Sequence, residues 1–231
     1  MKIFSSSLQD AVSTAANRIA DFAAHNRGSM IAFGYNAELA KVYQKLVSMC
    51  EEGLADFSGV KAAVLMEFEN STIITEELRK SFFSPAGIPD DNIISISEYA
   101  SDNPAQFDAV FSQIGGIALA VTGLGKKGQV LFNEPGAQFC SFSHRQKLSS
   151  LTLDEFSKIF PGTDLPNFGL TAGIKTVASA KEILIIALGE EKADAVFSTV
   201  YSRDDGIVPS AYLQLPMYVE LYADEDASSR L

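Results

Sequence analysis

Ile117-Ala-Leu-Ala-Val-Thr-Gly-Leu-Gly-Lys-Lys-Gly-Gln-Val-Leu-Phe-Asn-Glu-Pro135 is the stretch that decides the fold. Its first part, Ile117 to Thr122, is apolar enough to form a strand buried on both faces. Gly123, Gly125 and Gly128 then let the backbone turn tightly and come close to a ligand. The run closes on Asn133 and Glu134, which together can fix hydroxyls and move a proton. Pro135 stiffens the turn that aims them. A buried strand leading straight into a glycine-rich loop suits an open α/β sheet. There, ligands bind beyond the carboxyl ends of the strands, where the strand order reverses.

The flanking sequence repeats this alternation. Leu8, Val12, Ala15, Ile19 and Phe22 recur at helical spacing behind a capping Ser6 or Ser7, and Asn26-Arg-Gly closes the helix. Met30 to Phe33 reads as a short buried strand ending at Gly34. A helix follows Asn36, with Leu39, Val42, Tyr43, Leu46 and Val47 on its inner face, and Gly53 ends it. Val60 to Phe68 reads as one strand, Glu76 to Phe83 as a helix, and Ile93 to Ile96 as a strand. Ala105 to Ile114 forms the helix ahead of the deciding strand. Beyond the loop come a strand at Ile183 to Leu188, a helix from Glu190 to Val200, and a last strand from Met217 to Tyr222. The expected architecture is therefore α/β, a mostly parallel open sheet with helices on both faces. No composition break or internal repeat divides it, so 1–231 reads as a single domain. The polar stretch 139–166, with a helix at Thr152 to Phe160, is expected to act as a lid. The tail 224–231 is expected to fray.

Bulk composition narrows the function classes. With 231 residues, 47% of them hydrophobic, the chain can bury a sizeable core. A net charge of −11 and the lack of a basic stripe argue against nucleic acid as a partner. A small anion would need a local cluster of cations to hold it. No apolar run approaches the ~20 residues that span a bilayer, and the N-terminus lacks the layout of a signal peptide. The expected location is cytoplasmic, without a membrane partner. Cys50 and Cys140 read as free thiols. His25 sits where it caps the first helix, His144 is isolated, and no metal or cofactor is expected.

Gly123 to Pro135 resembles the glucosamine-6-phosphate deaminase signature, G-[VL]-G-x-D-G-H-x-x-F-N-E-P. Further similarity lies at Tyr43 to Val47, Phe82-Phe83, Ile88-Pro89, Leu170 to Ile174, Ala180 to Leu184 and Leu188 to Lys192. The galactosamine-6-phosphate isomerase branch is similar too. The Phe-Asn-Glu-Pro tail favours these over the 6-phosphogluconolactonases. The resemblance implies a Rossmann-like fold and ring opening of an amino-sugar phosphate, followed by aldose–ketose isomerisation with loss of ammonia. The implied partner is a small sugar phosphate, with a homo-oligomer also among the expected states.

Carried over residue by residue, the resemblance makes Glu134 the carboxylate that orients the ring-opening histidine, and Lys192 the phosphate-binding lysine. Lys158 stands where the family has arginine, offering charge without the bidentate fork. Gln129 occupies the histidine's place and cannot take a proton at neutral pH. Lys127 replaces an aspartate. Met66 falls where the family's proton-shuttling Asp sits, with Glu67 beside it as a substitute. The phosphate loop P-T-G-G-T-P becomes Gly34-Tyr35-Asn36-Ala37-Glu38-Leu39, so Glu38 would stand near the phosphate, offset by Lys126 and Lys127. The candidate catalytic set is Glu134, Glu67, Gln129 and Lys127. The candidate binding set is Gly34, Tyr35, Asn36, Ala37, Lys158, Lys192, Gly123 and Gly125. Three readings stay open: a sugar-phosphate enzyme using a rearranged set such as Glu67, Glu69 and Glu134; a catalytically silent binding or structural relative; and an inherited turn with no ligand.

Overall fold

Two side-chain caps start the first long helices. Ser7 Oγ accepts the Asp10 N–H ahead of α1 (Leu8–His25), and Asn36 Oδ1 accepts the Leu39 N–H at 2.8 Å ahead of α2 (Ala37–Glu51). At the far end of α1, His25 Nδ1 lies 2.7 Å from the Asp21 carbonyl. The computed structural model describes residues 1–99, 103–202 and 207–231.

In chain order the strands are β1 (Lys2–Ser6), β2 (Met30–Phe33), β3 (Lys61–Val64), β4 (Met66–Phe68), β5 (Ile93–Ser95), β6 (Leu119–Gly123), β7 (His144–Lys147), β8 (Phe168–Thr171), β9 (Glu182–Ala187) and β10 (Val219–Asp224). The remaining helices are α3 (Ile73–Leu78), α4 (Ala105–Gln113), α5 (Ser150–Ile159), α6 (Ile174–Ala178) and α7 (Ala193–Tyr201). A wider π turn, Arg79–Phe83, extends α3.

Seven strands form an all-parallel sheet in the order β1-β10-β9-β6-β2-β3-β5. Helices pack around it, as the alternating sequence predicts; α1, for example, lies against α2 and β10. The chain leaves β2 in one direction for β3 and β5, then returns to β6 on the other side. The order therefore reverses between β2 and β6, and the loops after Phe33 and Gly123 open side by side at that point. Phe33, Tyr43, Phe82 and Phe83 form a buried aromatic cluster under this edge, with Tyr43 and Phe82 stacked at 4.9 Å. Such stacking adds to the burial that holds β2 and α2 in place.

Three expectations change. Val60 to Phe68 is not one strand. The chain switches sheets at Leu65, whose N–H binds Phe33 O and whose carbonyl accepts the Ala172 N–H. β4 then pairs antiparallel with β8, which pairs with β7, in a separate three-stranded sheet. Lys2 to Ser6, to which the sequence reading assigned no element, is an edge strand parallel to β10. The tail is tied down rather than loose. Asp224 is buried and accepts the Gly189 and Ala227 N–H groups, and Ala227 is fully buried. Polarity alone suggested fraying, but here the polar groups are bonded to one another.

Among the described residues no helix is long and apolar enough to cross a membrane. Cys50 and Cys140 are free.

Candidate functional site

The cleft lies at the switch point. Tyr35 and Asn36 from the loop after β2, Met66 from β4, and Thr122, Gly123, Gly125, Gln129 and Leu131 from the β6 loop line it. Thr152, Glu155 and Phe156 of α5 close the other side. It continues through Asn36, Glu155 and Phe156 into a hollow of about 150 Å³, walled by Ala37, Glu38, Lys126, Lys158, Ile159, Glu191 and Lys192. The segment expected to act as a lid thus supplies one wall through α5. Phe156 anchors that wall between Phe68 and Phe132, at 5.5 and 5.2 Å between ring centres.

The glycine loop folds on itself. Gly125 N–H binds Gln129 O at 2.9 Å, and Gly128, with φ +74°, turns the chain back. A side chain at Gly123 would run into the Asn36 amide, and one at Gly125 into Gln129. These two glycines are what let the loop and the α2 cap approach each other. Gly123→Ala is therefore expected to displace Asn36 and to cost about 2 kcal/mol through overpacking. An unchanged urea midpoint would show that the close approach carries no weight.

Glu134 and Gln129 come together as expected. Gln129 Nε2 donates to Glu134 Oε2 at 3.3 Å and to Thr152 Oγ1 at 3.5 Å, while its Oε1 accepts the Lys127 N–H at 2.9 Å. Glu134 Oε1 accepts Ser149 N–H at 2.8 Å and Thr152 Oγ1–H at 2.7 Å. The buried carboxylate thereby clamps the start of α5 to the glycine loop. Both of its oxygens are engaged.

Other candidates are placed differently. Glu67 is completely buried and faces α3, not the cleft. Its Oε1 accepts Phe68 N–H (2.9 Å) and Ile74 N–H (3.1 Å), and its Oε2 accepts Thr75 N–H (2.8 Å) and Thr75 Oγ1–H (2.9 Å). Alternation along β4 turns it away from Met66, so it does not replace a missing cleft acid. Burial still pushes its pKa up, against the opposing effect of those hydrogen bonds. Glu69 lies outside the cleft and forms a fork with Arg145. The Lys127 side chain is exposed and lines a separate surface hollow with Asp194, Phe197 and Arg230. Asn133 is fully buried, its Nδ2 holding Val130 O and Ala172 O. With a further bond to the Thr171 hydroxyl, it fastens the loop to the end of β8 and does not line the cleft. Gly34 is not a lining residue; its carbonyl accepts the Tyr43 hydroxyl at 2.7 Å.

The binding candidates Tyr35, Asn36, Ala37, Lys158, Lys192, Gly123 and Gly125 do line the cleft or its hollow. Tyr35 stays a phenol, its pKa raised by burial and the Glu77 carboxylate. Lys192 is only 2% exposed, with Nζ 3.5 Å from Glu38 Oε1 and 3.4 Å from Glu155 Oε1. Burial raises the Glu38 pKa, and Lys192 pulls it back. Lys126 is occupied by Glu191 at 2.8 Å. Sequence reasoning missed Glu155 and Thr152. Both sit on an amphipathic helix, and only their position opposite the glycine loop distinguishes them. Among the described residues no group of three or more His, Cys, Asp or Glu could hold a metal ion.

A parallel sheet with its cleft at this switch point, closed by a glycine loop carrying Gln129 and Glu134, defines a Rossmann-like protein of the sugar-phosphate isomerase and deaminase type. The chain belongs to the glucosamine-6-phosphate deaminase family. It is 31% identical to the glucosamine-6-phosphate deaminase of Clostridium novyi over 199 residues, covering 82% of this chain and 83% of the relative. With the enzyme of Corynebacterium glutamicum it shares 29% identity over 238 residues, covering 96% and 90%. A solved monomeric glucosamine-6-phosphate deaminase superposes with a TM-score of 0.93 at 22% identity, with all of both chains covered. The 6-phosphogluconolactonase of Trypanosoma brucei superposes at 0.78 with 14% identity, covering 100% of this chain and 98% of that one, a likeness of fold alone. No family model matches the chain.

Proposed function

We propose that this protein holds a small sugar ligand in the cleft and releases no ammonia from glucosamine 6-phosphate, making it a catalytically silent relative of the deaminases. Gln129 carries this reading. It lies between Glu134 and Thr152, in the place where the resemblance puts a proton-carrying histidine, and is hydrogen-bonded from both ends. A neutral amide binds hydroxyls but shuttles no proton at neutral pH. The groups around it suit a polyol: Asn36 Nδ2 donates to none of the described residues, and Thr152 and Glu155 face the same space. Glu67, the intended substitute acid, is spent on α3.

Turnover of a related sugar phosphate is the second reading. One observation favours it: Glu155 borders both cleft and hollow, with one oxygen engaged by Lys192.

The test pairs isothermal titration of glucosamine, glucosamine 6-phosphate and galactosamine 6-phosphate with assays for ammonia and ketose. The expected result is a saturable heat with at least one sugar and no ammonia above the blank. Steady ammonia release would overturn the silent reading. Ketose forming in step with that ammonia, as it must from a sugar whose C2 nitrogen leaves, would move the choice to Glu155 as a base. No heat from any sugar would remove the cleft as a sugar site.

A further inference from the structure

The hollow beside the cleft has the cation that an anionic ligand would need, and the protein has already used it. Lys192 is buried between Glu38 and Glu155, ion-paired with Glu38 at 3.5 Å and donating to Glu155 at 3.4 Å. Glu38 stands in the first turn of α2, where the helix's free N–H groups favour negative charge, and its carboxylate also takes its own backbone N–H. Glu38 thus sets a negative charge beside both the buried ammonium and the helix terminus, the two features that would otherwise attract an anion. The second lysine of the wall, Lys126, is paired with Glu191. Of the three lysines in this wall, only Lys158 has no ion-pair partner among the described residues, and it lies exposed at the rim.

We propose that Glu38 is the built-in counter-anion of Lys192 and makes this pocket specific for a monosaccharide that carries no phosphate. The inference rests on the reading that the cleft holds a sugar, and it names which kind. A phosphate dianion entering the hollow meets Glu38 and Glu155 before it reaches Lys192. To use the lysine it must expel Glu38, which then loses its partner while still desolvated. An uncharged part of a sugar leaves the ion group undisturbed. Its hydroxyls find Asn36 Nδ2 and Glu155 at the junction of cleft and hollow. Specificity here arises from a repulsive element as much as from an attractive one.

Glucosamine and glucosamine 6-phosphate differ only in the phosphate, so they are the matched probes. Inorganic phosphate reports the ion group apart from the sugar. Each is titrated calorimetrically into the wild type, E38Q and E38A. The wild type is expected to bind glucosamine at least about tenfold more tightly than glucosamine 6-phosphate, and both variants to bind inorganic phosphate at least about tenfold more tightly than the wild type. E38A guards against the glutamine carbonyl keeping hold of Lys192. Wild-type preference for the phosphorylated sugar overturns the specificity. Unchanged phosphate affinity in both variants overturns the role of Glu38, whether or not a sugar binds. Failure of the wild type to bind either sugar overturns the cleft reading and the specificity with it, and leaves the phosphate comparison to decide the Glu38–Lys192 pairing alone.

Discussion

Glu67→Ala is expected to destabilise the protein by on the order of 4 kcal/mol, the larger of the two main effects foreseen for this chain. The carboxylate is completely buried and accepts hydrogen bonds from Phe68, Ile74 and Thr75 backbone N–H groups and from the Thr75 hydroxyl. Removing it strands those donors where water does not readily reach, and each orphaned buried donor costs about 1–3 kcal/mol. The sum is reduced where water enters the space left behind. Glutamine is no remedy. Its Nε2 would face the Thr75 N–H, donor against donor, so Glu67→Gln should cost about 2 kcal/mol. Thr75→Val removes one donor and its contact to Ser95 Oγ, and should cost about 1 kcal/mol. Urea midpoints of the three variants give the order directly. If Glu67→Ala moved the midpoint by less than Thr75→Val, Glu67 would not be the peg that joins β4 to α3, and a place in the chemistry would have to be reconsidered.

Glu67 also marks where sequence reading reached its limit. The caps at Ser7 and Asn36, the buried strands at Met30 to Phe33 and Ile117 to Thr122, and the switch-point loops were all legible, because each depends on local chemistry: an oxygen ahead of a helix, a continuous apolar run, glycines after a strand. The break at Leu65 was not. Val60 to Phe68 is apolar except for Lys61 and Glu67, and no local period tells a strand that it must pass from one sheet to another. That hidden switch decides that Met66 lines the cleft while Glu67 faces α3. β1 escaped because an edge strand of five residues, exposed on both faces, has little pattern to show. In the site, Gln129 and Glu134 were named together because both fall in the one contiguous signature that carries the resemblance. The resemblance set Glu38 and Lys192 near one phosphate, but their direct pairing, with Glu155 beside them, joins distant parts of the chain and shows only in the tertiary packing.

Lys192→Met should cost about 3 kcal/mol at neutral pH, and the loss should shrink as the pH falls. The substitution keeps the length of the side chain but leaves Glu38 and Glu155 without the ammonium between them. Breaking a buried pair in this way typically costs about 3–5 kcal/mol; the partial exposure of Glu155 argues for the lower end. The pH sign follows from Glu38. Burial already raises its folded pKa above the unfolded value, and Lys192 is the largest opposing influence. A raised carboxyl contributes stability that is complete below the unfolded pKa and is lost as the pH rises through the folded one. Without Lys192 the folded pKa of Glu38 climbs further, so the variant gains on the wild type as the solution is acidified from neutrality toward the ordinary glutamate range. Denaturant titrations at about pH 7.5 and about pH 5 bracket that window. Adding Glu38→Gln to Lys192→Met should recover about half of the neutral-pH loss, because one of the two stranded charges is gone. An equal loss at both pH values, with no recovery in the double variant, would mean that Lys192 acts through packing alone and that its two carboxylates are satisfied elsewhere.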